Sequence, residues 1–386
     1  MSEGTAFVPF RVDVAEEVLD DLRDRLARTR WPDQLPGTEW SYGTDLHYLR
    51  DLCDYWRTSY DWRKVEEELN AYPQFVTTAG GLRVHFLHVR SPEPNAIPMV
   101  LTHGWPGSIT EFLSVVGPLT DPVAHGGDRA DAFHLVIPSL PGFGFSGPTT
   151  ATGVDGRAIA GAFAELMARL GYDRYVAQGG DIGAQISALL GEIDADHVAA
   201  VHVNLLPLRA PDPTNPLAGL EGDDLERAQR SFAFLQHDTG YWQIQATRPQ
   251  TLAYGLNDSP AGLAGWIVEK FRSWTDCDGD IERAFTNDEL LTNITVYWVT
   301  GTINSSTRFY RESTGPGRTV TSPRCLVPTG FADFPGEHYR MPLAWAKETL
   351  NLVDITTMPR GGHFAALQVP DVFVAGIRRF VRAFRT

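Results

Sequence analysis

A series of short apolar runs, separated by stretches of helical pattern, constrains the fold of this chain more than any other feature. Four runs follow one another between residues 98 and 206, namely PMVLTH, FHLVIPSL, RYVAQ and VAAVHVNLL. Two more, RCLVPTGF and LVDITTMP, occur near the end of the chain, and a final helix is expected after Pro370. Strands that alternate with helices in this way form a mostly parallel sheet. The sequence predicts an α/β fold.

The strand pattern is interrupted after Asn204 and resumes only near residue 323. The intervening stretch contains Trp and Tyr, is punctuated by Pro and has a mainly helical pattern. A helical insertion before the last strands of an α/β sheet is typical of a lid. We therefore expect a core in two parts, 79–206 and 323–386, a helical lid over 207–322, and an N-terminal segment over 1–78.

The N-terminal segment has the pattern of a separate, mostly helical unit. Asp13 and Glu16 resemble a capping pair, and the helix after them carries an apolar stripe of Leu19, Leu22 and Leu26. A second helix carries Leu46, Leu49, Leu52 and Trp56 at helical spacing. The stretch QFVTTAGGLRVHFLHVR then has strand-like runs on both sides of two glycines, which predicts a hairpin.

Composition and charge limit the class of partner. Of the 386 residues, 43% are hydrophobic and 21% are charged, so a sizeable core is expected. The formal net charge of −15 argues against nucleic acid and against an anionic membrane surface. We see no signal peptide, no run of about 18 apolar residues and no metal-ligand spacing among the three cysteines. We expect a cytoplasmic protein with a small-molecule partner and no metal or cofactor; a homodimer is left open.

The stretch GGDIGA places Asp181 in the frame G-x-nucleophile-x-G of the α/β-hydrolase elbow, where serine is usual. A strand is expected to enter at 175–178 and a helix to leave from Gly183. A tight turn between them would lift Asp181 clear of the sheet, and it needs small neighbours. The helix N-terminus favours a negative charge there. Taken alone, the motif is better explained by a helix-capping aspartate in a Gly-rich turn.

The stretch LTHGWPGS follows an apolar run and has the place of the loop that forms half of an α/β-hydrolase oxyanion site. The backbone N–H of Trp105 is one candidate donor. The N–H of Ile182, directly after Asp181, is the other. The alternative is a simple turn between strand and helix, but the position of the loop ahead of the elbow disfavours it.

His363 follows the last expected strand in MPRGGHFAAL, where this fold places its catalytic base. It completes the chain order nucleophile, acid, histidine. The acid stays open on the residues alone. The stretch VPTGFADFPGEHY offers Asp333 and Glu337, and Asp354 is a third candidate inside the last strand.

Together these motifs resemble the microsomal-type epoxide hydrolases of the α/β-hydrolase fold, over nearly the whole chain. The resemblance is carried by FRVDV…LRDRLARTRWPD, HGWPGS, GGDIGA, GYWQIQATRPQTLAYGLNDSPAGLAGWIVEKF, FYRES, PTGFADFPGE and RGGHFAAL. Within the family, the chain is most similar to soluble bacterial members that act in enediyne antibiotic biosynthesis. The resemblance implies an ether-bond hydrolase that converts an epoxide to a vicinal diol.

The resemblance also implies roles for individual residues. The family nucleophile falls on Asp181 and the base on His363. The family acid lies 26 or 27 positions before the histidine, which selects Glu337. Two lid tyrosines that bind the epoxide oxygen correspond to Tyr241 and Tyr310.

Trp242 and Gln243 directly follow the first of these tyrosines, and we expect at least one of them to border the substrate. Consecutive residues of a helix point to different faces, so both need not do so. A role for Trp242 in packing the lid is the equal alternative. The aromatic content of the lid points to an apolar, aryl-bearing epoxide.

An aspartate suits this chemistry because it is already ionised at neutral pH, with a reference pKa of about 3.9. Its attack on an epoxide carbon gives an ester, whose carbonyl water can then attack. A serine would give an ether, which an oxyanion site cannot help to cleave. Haloalkane dehalogenases share the aspartate but often follow it with Trp, where this chain has Ile182. A non-catalytic α/β-hydrolase scaffold is a further alternative, although such proteins usually lack a triad member and none is missing here.

Overall fold

The computed structural model describes residues 6–206 and 208–385. Three short pieces of the predicted units lie outside the described residues. They are residues 1–5 of the predicted N-terminal segment, residue 207 of the predicted lid and residue 386 of the predicted core. The described part contains nine strands in one sheet: β1 (Val8–Pro9), β2 (Gln74–Ala79), β3 (Leu82–Val89), β4 (Ile97–Thr102), β5 (Phe133–Pro138), β6 (Tyr175–Gly179), β7 (Val198–Val203), β8 (Cys325–Asp333) and β9 (Leu350–Thr357).

The sheet has the order β1-β2-β3-β5-β4-β6-β7-β8-β9. All pairings among β4 to β9 are parallel. The three strands at one edge, β1 to β3, pair antiparallel. The predicted α/β-hydrolase fold with a mostly parallel sheet is therefore confirmed.

The inner parallel strands β5, β6 and β7 are buried along their whole length because both faces of the sheet are covered there. On β4, Val100 packs into one core, whereas Met99 and Leu101 pack into the other. The flanking helices are α4 (Leu113–Thr120), α5 (Gly156–Arg169), α6 (Asp181–Ile193), α13 (Ala365–Gln368) and α14 (Pro370–Val381). Helices α5 and α6 pack against each other, and α14 packs on α4 across the opposite face.

The N-terminal segment contains three helices and also contributes strands to this sheet. Its helices are α1 (Glu16–Ala27), α2 (Leu46–Thr58) and α3 (Trp62–Asn70). The predicted hairpin is present as β2 and β3, so the expected division at residue 78 passes through a strand. The predicted capping pair is wrong: α1 follows Ala15 without a side-chain cap, because Glu16 pairs with Arg23 and Arg63 instead.

Six helices between β7 and β8 form the lid: α7 (Gly222–His237), α8 (Gly240–Thr247), α9 (Pro249–Leu256), α10 (Pro260–Ser273), α11 (Asn287–Thr300) and α12 (Ile303–Thr314). The N-terminal helices α1 and α2 contact this lid through side-chain hydrogen bonds and an ion pair. Trp56 Nε1 donates to Thr295 Oγ1 over 3.0 Å, and Arg25 pairs with Asp258 over 2.7 Å. Within residues 6–206 and 208–385, the helices fall short of the length and apolarity needed to cross a membrane.

Candidate active site

Asp181 sits at a strained turn between β6 and α6. Its φ is +50°, a value that side-chain-bearing residues rarely adopt. Gly180 precedes it in an extended conformation and is the N-cap residue of α6. Strain of this kind persists only where the surroundings enforce it, and it is characteristic of a nucleophile elbow. The carboxylate therefore stands at the carboxyl end of the sheet, beneath the lid.

Close backbone approaches explain the glycines around the elbow. A Cβ on Gly183 would lie 2.0 Å from the carbonyl oxygen of Thr102, so α6 could not dock against β4. A Cβ on Gly104 would lie 2.2 Å from Asp181 Oδ1. Both distances are far inside van der Waals contact. The glycines of the two motifs therefore allow the loop after β4 to pack directly against the Asp181 carboxylate and the first turn of α6.

The loop after β4 supplies a hydrogen bond to the carboxylate. The backbone N–H of Trp105 donates to Asp181 Oδ1 over 2.8 Å. Ile182 is buried in the first turn of α6, where backbone N–H groups have no acceptor within the helix. One of the two predicted oxyanion donors, the N–H of Trp105, thus already contacts Asp181, and the other belongs to the residue that directly follows Asp181.

His363 lies between two carboxylates. Its Nδ1 contacts Glu337 Oε1 and Oε2 over 3.0 and 2.9 Å. Its Nε2 lies 3.5 Å from Asp181 Oδ2. The backbone N–H of His363 donates to the carbonyl oxygen of Trp274 over 3.0 Å, which fixes the loop after β9. All three predicted triad residues are therefore assembled in one row.

The charged forms of His363 and Glu337 stabilise each other. Burial alone would lower the pKa of His363, but Glu337 and then Asp181 raise the pKa to about 10. Burial alone would raise the pKa of Glu337, but His363 and the neighbouring His338 hold that pKa well below its ordinary value. The free site therefore favours an imidazolium between two carboxylates at neutral pH.

The other two acid candidates are engaged elsewhere. Asp333 is buried at the end of β8 and pairs with Arg227 and with Arg340, the latter over 2.6 Å. Asp354 pairs with Arg379 over 2.5 Å on the outer part of the sheet. Neither contacts His363, so the geometry leaves Glu337 as the acid partner.

The two predicted lid tyrosines meet above Asp181. Tyr241 on α8 and Tyr310 on α12 have ring centroids 6.1 Å apart. The indole of Trp105 stacks on Tyr241 at 5.3 Å and meets Tyr310 edge-on at 5.7 Å. Burial, reinforced by the charge of Asp181, raises the pKa of both hydroxyls well above the ordinary value. Both remain protonated and can donate.

A cavity of about 110 Å³, here called the lid-side cavity, is lined by Asp181 and both tyrosines. Trp242 also lines it and donates from Nε1 to Thr314 Oγ1 over 2.9 Å. Gln243 lies on the exposed face of α8, outside this lining. Of the two residues named as substrate-binding candidates, Trp242 therefore lines the cavity and Gln243 does not, because one residue further along a helix turns the side chain by about 100°.

A second space, here called the core-side chamber, lies behind the nucleophile and has a volume of about 20 Å³. Its lining includes Thr102, Glu111, Gln178 and His363. Asp181 is the one described residue that lines both spaces. The carboxylate therefore divides a lid-side cavity, which contains the tyrosines, from a chamber that contains the histidine.

Three further site residues were not predicted from the sequence. Glu111 is a buried carboxyl in the apolar stretch ITEFL, and a lone acid in such a stretch was the available signal. Trp274 meets His363 edge-on at 5.0 Å and lies 5.2 Å from Tyr241. Lys270 is buried with its ammonium 4.6 Å from the centre of the Tyr241 ring. Neither Trp274 nor Lys270 stands in a motif that marks it.

His338 provides a second imidazole beside the acid. Its Nδ1 lies 2.9 Å from Glu337 Oε1, and its ring stacks on Trp274 at 4.5 Å. Glu337, His338 and His363 thus place three potential metal ligands within 4.8 Å of one another. Both imidazoles already turn Nδ1 toward the same carboxylate, so a metal there would replace the contact that orients His363.

Family models match the chain in two overlapping regions. The model described as "Epoxide hydrolase N terminus" matches residues 7–112. The model described as "alpha/beta hydrolase fold" matches residues 97–235. The first match extends beyond the helical segment into β4 and the loop that follows it, in keeping with the shared sheet.

Two named relatives align over almost the whole chain. A protein of Stigmatella aurantiaca (strain DW4/3-1), named as an inferred epoxide hydrolase, is 47% identical, over 98% of this chain and 85% of that protein. Epoxide hydrolase 1 of Sus scrofa is 39% identical, over 98% of this chain and 89% of that protein.

Solved structures show the same architecture. Juvenile hormone epoxide hydrolase from the silkworm Bombyx mori superposes with a TM-score of 0.88 at 30% identity, covering 99% of this chain and 95% of that one. Aspergillus niger epoxide hydrolase superposes with a TM-score of 0.86 at 31% identity, covering 99% and 97%. With an aspartate elbow, an oriented histidine and this extent of similarity, the chain belongs to the epoxide hydrolase family of the α/β-hydrolase fold.

Proposed function

We propose that this epoxide hydrolase works through a covalent ester on Asp181, with His363 as the base and Glu337 as the acid that orients it. The observation that carries the proposal is the row of three side chains, in which Nε2 of His363 lies 3.5 Å from Asp181 Oδ2 and Nδ1 contacts Glu337. The nucleophile needs no base to ionise it. The histidine is therefore available for the second half of the reaction.

In the first half-reaction, Asp181 Oδ2 bonds to an epoxide carbon as the bond from that carbon to the ring oxygen breaks. Oδ2 is the oxygen that the Trp105 N–H does not hold. Negative charge develops on the epoxide oxygen, and the hydroxyls of Tyr241 and Tyr310 line the same cavity. One of them donates its proton to that oxygen and the other a hydrogen bond, which offsets the cost of an alkoxide in an apolar space.

In the second half-reaction, water gives a proton to His363 Nε2 as its oxygen bonds to the Asp181 carboxyl carbon. The N–H groups of Trp105 and Ile182 receive the oxyanion. The bond between the Asp181 carboxyl carbon and the ester oxygen then breaks, and that oxygen, which came from Asp181, leaves with the diol. One proton of the water ends on the second diol oxygen, and the other returns to the tyrosine that had donated its proton. The enzyme is thereby restored to its starting state. One oxygen of the Asp181 carboxylate now comes from water.

Alkylation itself prepares the histidine for this role. The charge on Asp181 is one of the two carboxylate charges that raise the pKa of His363 to about 10. Ester formation removes that charge, so the pKa falls and the imidazolium releases its proton to solvent; the ring takes a proton back once hydrolysis restores the Asp181 carboxylate. The base is suppressed while the nucleophile is free and is released once the ester exists.

We assign an apolar, aryl-bearing epoxide as the substrate class. The lid-side cavity has aromatic walls, including Trp242, Phe234 and Phe309, and its volume of about 110 Å³ suits a compact substrate. Aromatic walls favour flat apolar groups. The cytoplasmic location and a place in antibiotic biosynthesis stay predictions from the sequence, and a homodimer stays an open alternative.

Halide displacement is the nearest alternative reaction for this nucleophile. A leaving halide is held by N–H donors, and the indole Nε1 of Trp105 is buried and has no hydrogen-bond partner among the described residues. The two tyrosine hydroxyls are protonated O–H donors, which suit an oxygen leaving group that must take up a proton better than they suit a halide. Assays of halide release beside diol formation separate the two reactions.

The proposal is tested by a single turnover of styrene oxide in oxygen-18 water. We expect label in the Asp181 carboxylate, located by peptide mass spectrometry, and none in the first diol released. Label in that diol would mean that water attacks the epoxide directly, and the ester mechanism would be wrong.

A further inference from the structure

The core-side chamber has the size of a site for one water molecule. Its volume of about 20 Å³ exceeds the roughly 10–15 Å³ that one water requires. Asp181 alone among the described residues joins its lining to that of the lid-side cavity. The chamber therefore meets the nucleophile from the face opposite the tyrosines.

The lining of the chamber offers polar atoms that the rest of the described protein does not satisfy. Thr102 Oγ1, Gln178 Oε1 and His363 Nε2 are all buried and have no hydrogen-bond partner among the described residues. Thr102 and Gln178 are fully buried, so bulk solvent does not reach them. Buried polar groups usually have a partner, and a buried water typically makes about three hydrogen bonds.

Glu111 adds a fourth polar group. Its carboxyl lies against the backbone of Gly107, where a Cβ would come within 1.5 Å of Glu111 Oε1. Burial raises the pKa of Glu111 to about 8, although His363 acts in the opposite direction. At pH 7 the carboxyl is mostly protonated, so it can both donate and accept a hydrogen bond.

The remaining walls of the chamber keep it small and closed to bulk solvent. Phe112, Phe364 and Phe373 close it, and Ala365 and Ala366 follow directly after the histidine. Larger side chains in place of the two alanines would fill the space. The chamber is therefore an apolar shell with its polar groups gathered toward Asp181 and His363.

We propose that the core-side chamber binds the water that cleaves the ester, and that Glu111 is the residue that positions it. Together with Thr102, and with Gln178 Oε1 as an acceptor for one water hydrogen, Glu111 holds the water so that its oxygen faces the Asp181 carboxyl carbon and its other hydrogen faces His363 Nε2. This inference rests on the proposed ester mechanism. Its consequence is that water enters on the core side, while the bound half of the substrate still occupies the lid-side cavity.

The first experiment compares Glu111→Met with Glu111→Gln in rapid-quench single turnovers of styrene oxide. Methionine has a similar length but makes no strong hydrogen bond, whereas glutamine keeps both a donor and an acceptor. Intact-protein mass spectrometry follows the rise and the decay of the ester. We expect Glu111→Met to form the ester at nearly the wild-type rate but to hydrolyse it at least about tenfold more slowly. Glu111→Gln should recover most of the hydrolysis rate.

A second pair of variants gives the same test with less effect on packing. Thr102→Val removes a hydroxyl from the chamber and keeps the shape of the side chain. Thr110→Val makes the same change in a buried residue next to Glu111 that lies outside the chamber lining and whose hydroxyl contacts Ser108 Oγ over 2.8 Å. We expect slower ester hydrolysis in Thr102→Val alone.

The outcomes are distinguishable. If the wild-type protein forms no ester, the ester mechanism is wrong and this inference is lost with it. If the wild type forms the ester but folded Glu111→Met hydrolyses it normally, or loses both steps equally, only the role of Glu111 is refuted. Should Glu111→Met fail to fold, equal hydrolysis rates in Thr102→Val and Thr110→Val refute the chamber as the water site.

Discussion

His363 Nε2 lies 3.5 Å from Asp181 Oδ2, while Nδ1 of the same ring lies 2.9 Å from Glu337 Oε2. One imidazole therefore bridges two carboxylates, but only the Asp181 carboxylate is consumed when an ester forms. The bridge couples the protonation of the base to the state of the nucleophile.

The ester should accumulate when the base is removed. In His363→Ala, alkylation should proceed because Asp181 is already ionised, whereas hydrolysis should slow by roughly 10²–10⁴-fold. Intact-protein mass spectrometry after mixing with styrene oxide should show an adduct equal to the substrate mass. A folded variant that shows no adduct would contradict the assignment of His363 to the second half-reaction.

The protonation of His363 should depend on the nucleophile. Asp181→Asn removes a carboxylate charge that raises the pKa of His363, so that pKa should fall below the value of about 10 in the free enzyme. A raised pKa means that the charged form persists up to that pH, and its loss should move the titration toward lower pH. NMR of histidine ring carbons in both proteins measures the difference, and an unchanged midpoint would show that Asp181 does not act on the ring.

Glu337 and Asp333 should have different functions. Glu337→Gln removes the carboxylate charge that contributes most to stabilising the imidazolium, so ester hydrolysis should slow by on the order of 10²–10⁴-fold. Asp333→Asn weakens a buried contact with Arg227 and Arg340, so the free energy of unfolding should fall by about 3 kcal/mol. Urea unfolding and single-turnover rates separate the two effects. A slow but stable Asp333→Asn variant would reverse the assignment.

The lid tyrosines should act on ring opening and not on ester hydrolysis. Tyr241→Phe and Tyr310→Phe each remove one donor to the epoxide oxygen, and alkylation should slow by on the order of a hundredfold in each. Hydrolysis of a preformed ester should change little, because both hydroxyls lie on the lid side of Asp181. Equal losses in both half-reactions would indicate that the tyrosines only shape the cavity.

Trp242 should influence which epoxide carbon is attacked. Its ring lines the lid-side cavity beside Tyr310, with centroids 5.8 Å apart. A bias of about 1.4 kcal/mol between the two carbons changes their ratio tenfold. With enantiopure styrene oxide, Trp242→Ala should alter the configuration of the diol, because attack at the benzylic carbon inverts it and terminal attack retains it. Gln243→Ala is the matched control on the exposed face, and an unchanged diol in both variants would leave Trp242 a packing residue.

The sequence by itself determined the fold class and most of the residues of the site. Apolar runs identify buried strands because both faces of a parallel sheet are covered, as Val100 and its two neighbours show. The glycines around Asp181 indicate the elbow in the sequence because a tight turn leaves no room for side chains at those positions. The acid was not determined by the residues themselves: Glu337 was selected only by the likeness to a known family.

The tertiary structure decided what depends on direction and on distant partners. Asp333 and Glu337 are four residues apart, but the first faces Arg227 and the second faces His363, which no local pattern encodes. Gln243 follows Trp242 directly, yet the turn of the helix places it in solvent. Glu111 lies in an apolar stretch without a motif, and only the packing of separate elements brings it to the chamber behind the nucleophile. Spacing along the chain sets which residues are available, whereas side-chain direction and long-range contacts set which of them meet.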